Sequence, residues 1–157
     1  MVASLRPTET ADTILQIDYE RLWRLGMRTL LFDLDNTLAK HGSLEIPKRV
    51  DELLTALRVR GFRIGIVTNR RSKETPTEAA WARVFPTVRR AGKPSRRSFR
   101  RLLERLGSSP DEAVMIGDRF VTDVLGGNRL GLHTIRVRRP TSSDGRHRSR
   151  TRGSSRA

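Results

Sequence analysis

Asp33 and Asp35 sit one residue apart in Asp33-Leu34-Asp35-Asn36-Thr37, directly after the apolar residues Leu30, Leu31 and Phe32. If strand geometry persists through them, side chains at i and i+2 point to the same side. Two carboxylates held together raise the pKa of one unless a cation neutralises them. The same five residues also suit a turn with capping aspartates, so taken alone the segment leaves both readings open. Three more segments are of this kind. Val67-Thr68-Asn69 offers a hydroxyl and backbone N–H groups for phosphate oxygens, or a helix N-cap. Gly92-Lys93-Pro94 holds one of the four lysines, a point charge suited to a phosphate or simply a solvated side chain. Gly117-Asp118-Arg119-Phe120-Val121-Thr122-Asp123 follows Val114-Met115-Ile116, with Asp118 at a strand exit and Asp123 at the start of the next helix. Helix capping by aspartate is the plain alternative there.

The elements that must position these residues alternate along the chain. Apolar runs predict strands over 29–34, 62–68, 113–116 and 133–137, with a short one near 87–89. Helical spacing predicts helices over 18–25, from Pro47 to Gly61, over 73–83 and over 95–106, and another after Asp118 that ends near Gly126-Gly127 or Gly131. Such alternation implies right-handed crossovers and a parallel sheet covered by helices on both faces, an α/β fold. Each of the four segments then falls at or just past a strand end, where open α/β sheets build their sites.

Composition narrows the chemistry. The chain has 157 residues, one domain's worth, and no cysteine, so thiolate chemistry and cysteine-based zinc sites are excluded. The three histidines, His41, His133 and His147, are far apart in sequence, and any metal would be held by carboxylates, which points to Mg²⁺. Neither a signal peptide nor a membrane-spanning run is visible, so a cytoplasmic protein is expected, possible partners including the inner face of a membrane. Net charge is +15, with seven arginines against Asp144 between residues 138 and 157. Residues 1–139 are expected to fold, and the Arg-rich tail over 140–157 to be disordered. The charge excess calls for an anionic partner: phospholipid, nucleic acid or phosphate ester. Arg89, Arg90, Arg96, Arg97, Arg100 and Arg101 flank Lys93 as a candidate basic rim, and Ile14, Leu15, Ile17 and Trp23 are candidates either for packing on the sheet or for touching a lipid interface.

In this order the four segments resemble the haloacid dehalogenase (HAD) superfamily of phosphohydrolases. The resemblance implies a single Rossmann-like domain and Mg²⁺-dependent hydrolysis of a phosphate monoester through an aspartyl-phosphate. It implies Asp33 as nucleophile, Asp35 as general acid and then base, and Thr68 with the backbone of Asn69 as the phosphate cradle. Lys93 would neutralise the nucleophile and the transferring group. The metal would be held by Asp33, Asp118 and the backbone carbonyl of Asp35, with Asp123 supporting it. Neither usual insertion place has room for a cap domain. Ser4-Leu5-Arg6-Pro7, Ala91-Gly92-Lys93-Pro94, Thr122-Asp123-Val124-Leu125-Gly126-Gly127-Asn128-Arg129 and Ser142-Ser143-Asp144-Gly145 resemble the capless YqeG family, which is similar to phosphatidylglycerophosphate phosphatases. Thr68-Asn69-Arg70 departs from the Ser-Asn-Asn of many members. The other readings are a polynucleotide end phosphatase, and a nucleic-acid or ribosome-binding module on the same fold. The chain's 5% aromatic content supplies base stacking poorly.

Overall fold

The computed structural model describes residues 4–40, 46–71 and 73–141. Its strands are β1 (Glu9–Ala11), β2 (Thr29–Phe32), β3 (Arg63–Val67), β4 (Thr87–Val88), β5 (Ala113–Gly117) and β6 (His133–Val137). Its helices are α1 (Tyr19–Arg24), α2 (Lys48–Arg60), α3 (Pro76–Val84), α4 (Arg96–Leu106) and α5 (Leu125–Arg129). The strands form one sheet in the order β1-β6-β5-β2-β3-β4, and every pairing is parallel. All six strands therefore exit at one edge.

The strands read as unbroken apolar runs because both faces are covered. Alternate residues serve opposite faces. Leu30, Phe32, Val114 and Ile116 join one cluster with Ile14, Leu22, Leu54 and Trp81, so α1, α2 and α3 cover that face. Leu31, Ala113 and Met115 join the other with Phe99, Leu102 and Leu103 of α4.

Local signals set the helix ends. Asp18 caps α1 by accepting from Arg21 N–H at 3.0 Å. Thr75 caps α3, ahead of Pro76 at its first position. Gly61 ends α2 in the left-handed region with φ of 116°, which costs glycine little. The helix expected over 73–83 begins later, at Pro76, because Thr75 supplies the cap. Gly126 and Gly127 end nothing. They lie inside α5, where a Cβ would stand 2.7 Å from Phe99 and 2.6 Å from Thr134, so they let α5 approach α4 and the sheet.

One strand had no signal in the apolar pattern. β1 is the polar tripeptide Glu9-Thr10-Ala11, held on β6 by its ladder and by His133 Nε2 at 2.5 Å from Glu9 Oε2. Of the residues considered for a lipid interface, Ile14 and Ile17 are buried in the core, and Trp23 packs edge-on against Phe62 at 5.1 Å. Packing in the core accounts for these three, and Leu15 is half-buried. No described helix is long and apolar enough to cross a membrane. There is no cap domain among the described residues: only α3 and β4 lie between β3 and Lys93. The tail expected over 140–157 lies outside the described residues from 142 onward, as do 1–3, 41–45 and 72.

Candidate active site

The register of the sheet assembles the site. Phe32 is level with Ile66 on one side and Ile116 on the other. The next residues out, Asp33, Val67-Thr68 and Gly117-Asp118, therefore meet at the exits of three neighbouring strands. Asp33 extends the ladder by one step, donating its N–H to Ile116 O at 2.9 Å.

Carboxylate oxygens of Asp33, Asp118 and Asp123 lie within 4.8 Å of one another. Lys93 Nζ reaches into the group, 2.8 Å from Asp33 Oδ1 and 2.5 Å from Asp123 Oδ1. Lys93, Asp33 and Asp123 are all buried. Asp123 arrives by a wide turn over Phe120–Val124, in which Val124 N–H bonds back to Arg119 O. Gly117 makes room for it: a Cβ there would stand 2.3 Å from Asp123 Oδ2. Gly117 is thus a space requirement.

Asn69 does something its motif position did not announce. Its side chain clasps the Lys93 backbone, accepting from Lys93 N–H at 2.8 Å and donating Nδ2 to Lys93 O at 3.2 Å. The clasp fixes the base of the buried lysine. The neighbouring Thr68 hydroxyl accepts from Arg70 N–H at 3.1 Å, which leaves its own proton to donate.

Asp35 stands apart from the three-carboxylate cluster. Its Oδ1 lies 3.3 Å from Arg70 Nη2, and Arg70 is also bound by Glu78, which pairs with Arg89 at 3.4 Å. In the sequence Arg70 stands out only as a departure from the family pattern; its partner Glu78 lies on α3 and is visible only in three dimensions. Of the candidate rim around Lys93, Arg89 is engaged by Glu78, whereas Arg90, Arg96, Arg97, Arg100 and Arg101 are exposed.

The electrostatics follow from burial. Burial pushes the Asp33 carboxyl above its ordinary range, the Lys93 ammonium opposing and Asp118 adding to the rise. Asp118 is raised by burial and then by the charge of Asp123. Asp123 is pushed up to about 6, first by burial and then by Asp33, against the pull of Lys93. Burial disfavours the Lys93 ammonium, but Asp33 and Asp123 outweigh it and hold the lysine above its usual value. One ammonium against three carboxylates leaves the cluster short by the two charges that a divalent cation supplies. Asp118 Oδ1 is buried with no hydrogen-bond partner. An orphaned buried oxygen in an all-oxygen donor set fits a hard cation such as Mg²⁺.

Comparison with known proteins identifies the family and the fold. The HAD-hydrolase-like family profile matches residues 90–154. The chain is 32% identical to the probable phosphatase YqeG of Bacillus subtilis over 88% of its own length and 80% of that protein's. It is 31% identical to the chloroplastic phosphatidylglycerophosphate phosphatase 1 of Chlamydomonas reinhardtii, covering 87% of this chain but 54% of the algal protein. Among solved structures, a HAD phosphatase from Thermococcus onnurineus shares the fold, with a TM-score of 0.55 at 18% identity over 70% of this chain and 86% of the other.

Proposed function

The chain belongs to the YqeG family of HAD phosphatases, and from that premise we propose that it is a Mg²⁺-dependent phosphomonoesterase that works through an aspartyl-phosphate on Asp33. Phosphatidylglycerophosphate is the proposed substrate and phosphatidylglycerol the product. The observation that carries the mechanism is the buried Lys93 ammonium bridging Asp33 and Asp123, beside the orphaned Asp118 oxygen. The algal relative's activity and the open site favour a phosphate at the end of a large lipid.

A carboxylate attacking a phosphate dianion faces like-charge repulsion. Lys93 offsets part of it by holding Asp33 Oδ1. Asp33 and Asp118 would hold Mg²⁺ with the Asp35 backbone carbonyl, and Asp123 would steady both metal and lysine. When bound, the ion supplies the remaining positive charge at the transferring phosphoryl group. The Thr68 hydroxyl and Asn69 N–H would donate to its oxygens.

In the first step an Asp33 oxygen bonds to phosphorus, the ester P–O bond breaks, and Asp35 gives its proton to the leaving alkoxide. In the second, Asp35 takes a proton from water, the water oxygen bonds to phosphorus, and the Asp33–phosphorus bond breaks to release phosphate.

The test is phosphate release from phosphatidylglycerophosphate in mixed micelles, with and without Mg²⁺, beside soluble phosphoesters and a 3′-phosphorylated oligonucleotide. Lipid-selective release that needs Mg²⁺ and Asp33 supports the proposal. Preference for the oligonucleotide refutes the lipid and favours a polynucleotide end phosphatase.

A further inference from the structure

Across the strand-exit edge, the order β6-β5-β2-β3-β4 sets the loops side by side. The Asp33 site lies at β2, and its neighbours on both sides carry exposed arginines: Arg119 after β5, Arg71 after β3 and Arg90 after β4. Arg90 Nη2 donates to Arg71 O at 3.4 Å, which joins the β3 and β4 loops. Among the described residues that follow strands, the exposed acids include Asp12, engaged by Arg138 and Arg139, and Asp18, which caps α1. They also include Asp51 and Glu52 near the start of α2, the latter paired with Lys48, and Glu74, next to the exposed Lys73.

Beside Arg119 stand two apolar residues open to solvent. Phe120 is 42% exposed and Val121 59%. The remaining exposed large apolar residues among those described, Leu5, Leu25, Val59 and Val84, precede strands and so lie toward the opposite edge. An apolar pair at the lip of a site, on an edge that also carries exposed arginines, is the pattern of a protein that settles on an anionic lipid surface. A polynucleotide fits less well. The Arg136 guanidinium already covers the Phe120 ring at 4.1 Å from its centroid, and Val121 has no face to stack on a base.

We propose that the strand-exit edge docks on an anionic lipid bilayer, with Phe120 and Val121 entering the interface and Arg71, Arg90 and Arg119 contacting headgroup phosphates. The site then opens onto the membrane plane. This rests on the lipid reading above and adds the surface through which such a substrate is met.

The experiment is sedimentation of the full chain with phosphatidylcholine vesicles, with and without added phosphatidylglycerol and free of any phosphomonoester lipid. The expected result is binding that requires the anionic lipid, weakens with salt, and falls about tenfold or more in a Phe120→Ser/Val121→Ser variant. That variant retains turnover of a soluble phosphoester, which shows that its fold and site are intact. Because the chain has no cysteine, Val121→Cys also accepts a single polarity-sensitive dye. Its emission shifts to the blue on anionic vesicles, and that of the same dye at Val59→Cys does not. Vesicle binding indifferent to the double substitution, or a shift at 59 rather than 121, overturns the proposal. So does retention by a single-stranded oligonucleotide without retention by vesicles. Vesicle binding without turnover of phosphatidylglycerophosphate leaves the docking surface standing and refutes the substrate. Micellar turnover without vesicle binding does the reverse.

Discussion

The two edges of the sheet use charge in opposite ways. At the strand-entry edge, arginines are spent on the protein itself. Arg28 donates to Trp23 O and Met27 O, both at 2.8 Å, and stacks on the Trp23 ring. Arg60 pairs with Glu20 at 2.9 Å, and Arg63 binds Gly107 O at 2.9 Å and Glu112 at 3.2 Å. These groups are satisfied and partly solvated. At the strand-exit edge, charges are buried together, three carboxyls sit above their ordinary pKa, and one carboxylate oxygen has no partner. Burying charge in this way is unfavourable unless something else binds there. The same residue types thus neutralise one another at one edge and leave a carboxylate cluster that could hold a metal ion at the other.

The contrast can be broken most severely at Lys93. Lys93→Met should lower phosphatase activity about a thousandfold or more, because it removes the ammonium beside the proposed nucleophile, Asp33. It should also lower the metal-free melting temperature, since Asp33 and Asp123 lose their shared cation. Asp33→Asn should abolish turnover as thoroughly while the metal-free melting temperature holds or rises. Steady-state kinetics and calorimetry on both variants separate the two roles.

A smaller break lies at Gly117. Gly117→Ala puts a Cβ against the Asp123 carboxylate and should cost about 1–3 kcal/mol in denaturant titration. Metal affinity should weaken with it.

The pH dependence sharpens the comparison. Asp123 has a folded pKa of about 6, above its unfolded value. Its contribution is fully present below the unfolded pKa and is lost as pH rises through about 6. Metal-free protein should therefore gain stability, on the order of 1 kcal/mol, as pH falls from about 7 to about 5. Saturating Mg²⁺ should flatten that slope, chelation should restore it, and Asp123→Asn should reduce it without metal.

The least effect is expected at the entry edge. Arg63→Ala should cost about 0.5–1 kcal/mol and leave kcat/KM unchanged.

Much of this was legible in the sequence, for a physical reason. Strands buried on both faces are continuous apolar runs, so β2, β3, β5 and β6 announce themselves, and the site residues are polar interruptions at their exits. β1 escaped because a three-residue polar edge strand is made by its partner, through the ladder and the Glu9–His133 contact. The Asn69 clasp, the Arg70–Glu78 bridge and the need for Gly117 escaped because each depends on a residue distant in the chain or on a side chain's path through a turn. Gly126-Gly127 looked like a stop because sequence does not distinguish a glycine that ends a helix from one that lets another helix come close.

The most direct measurement traps the intermediate. The protein is mixed with substrate and Mg²⁺, quenched in acid, reduced with borohydride to convert any aspartyl-phosphate to homoserine, and mapped by mass spectrometry. Homoserine at position 33, absent without Mg²⁺ or in Lys93→Met, is the expected result. Homoserine at 35 or 118, or full turnover with no modified aspartate, contradicts a phosphoryl transfer through Asp33.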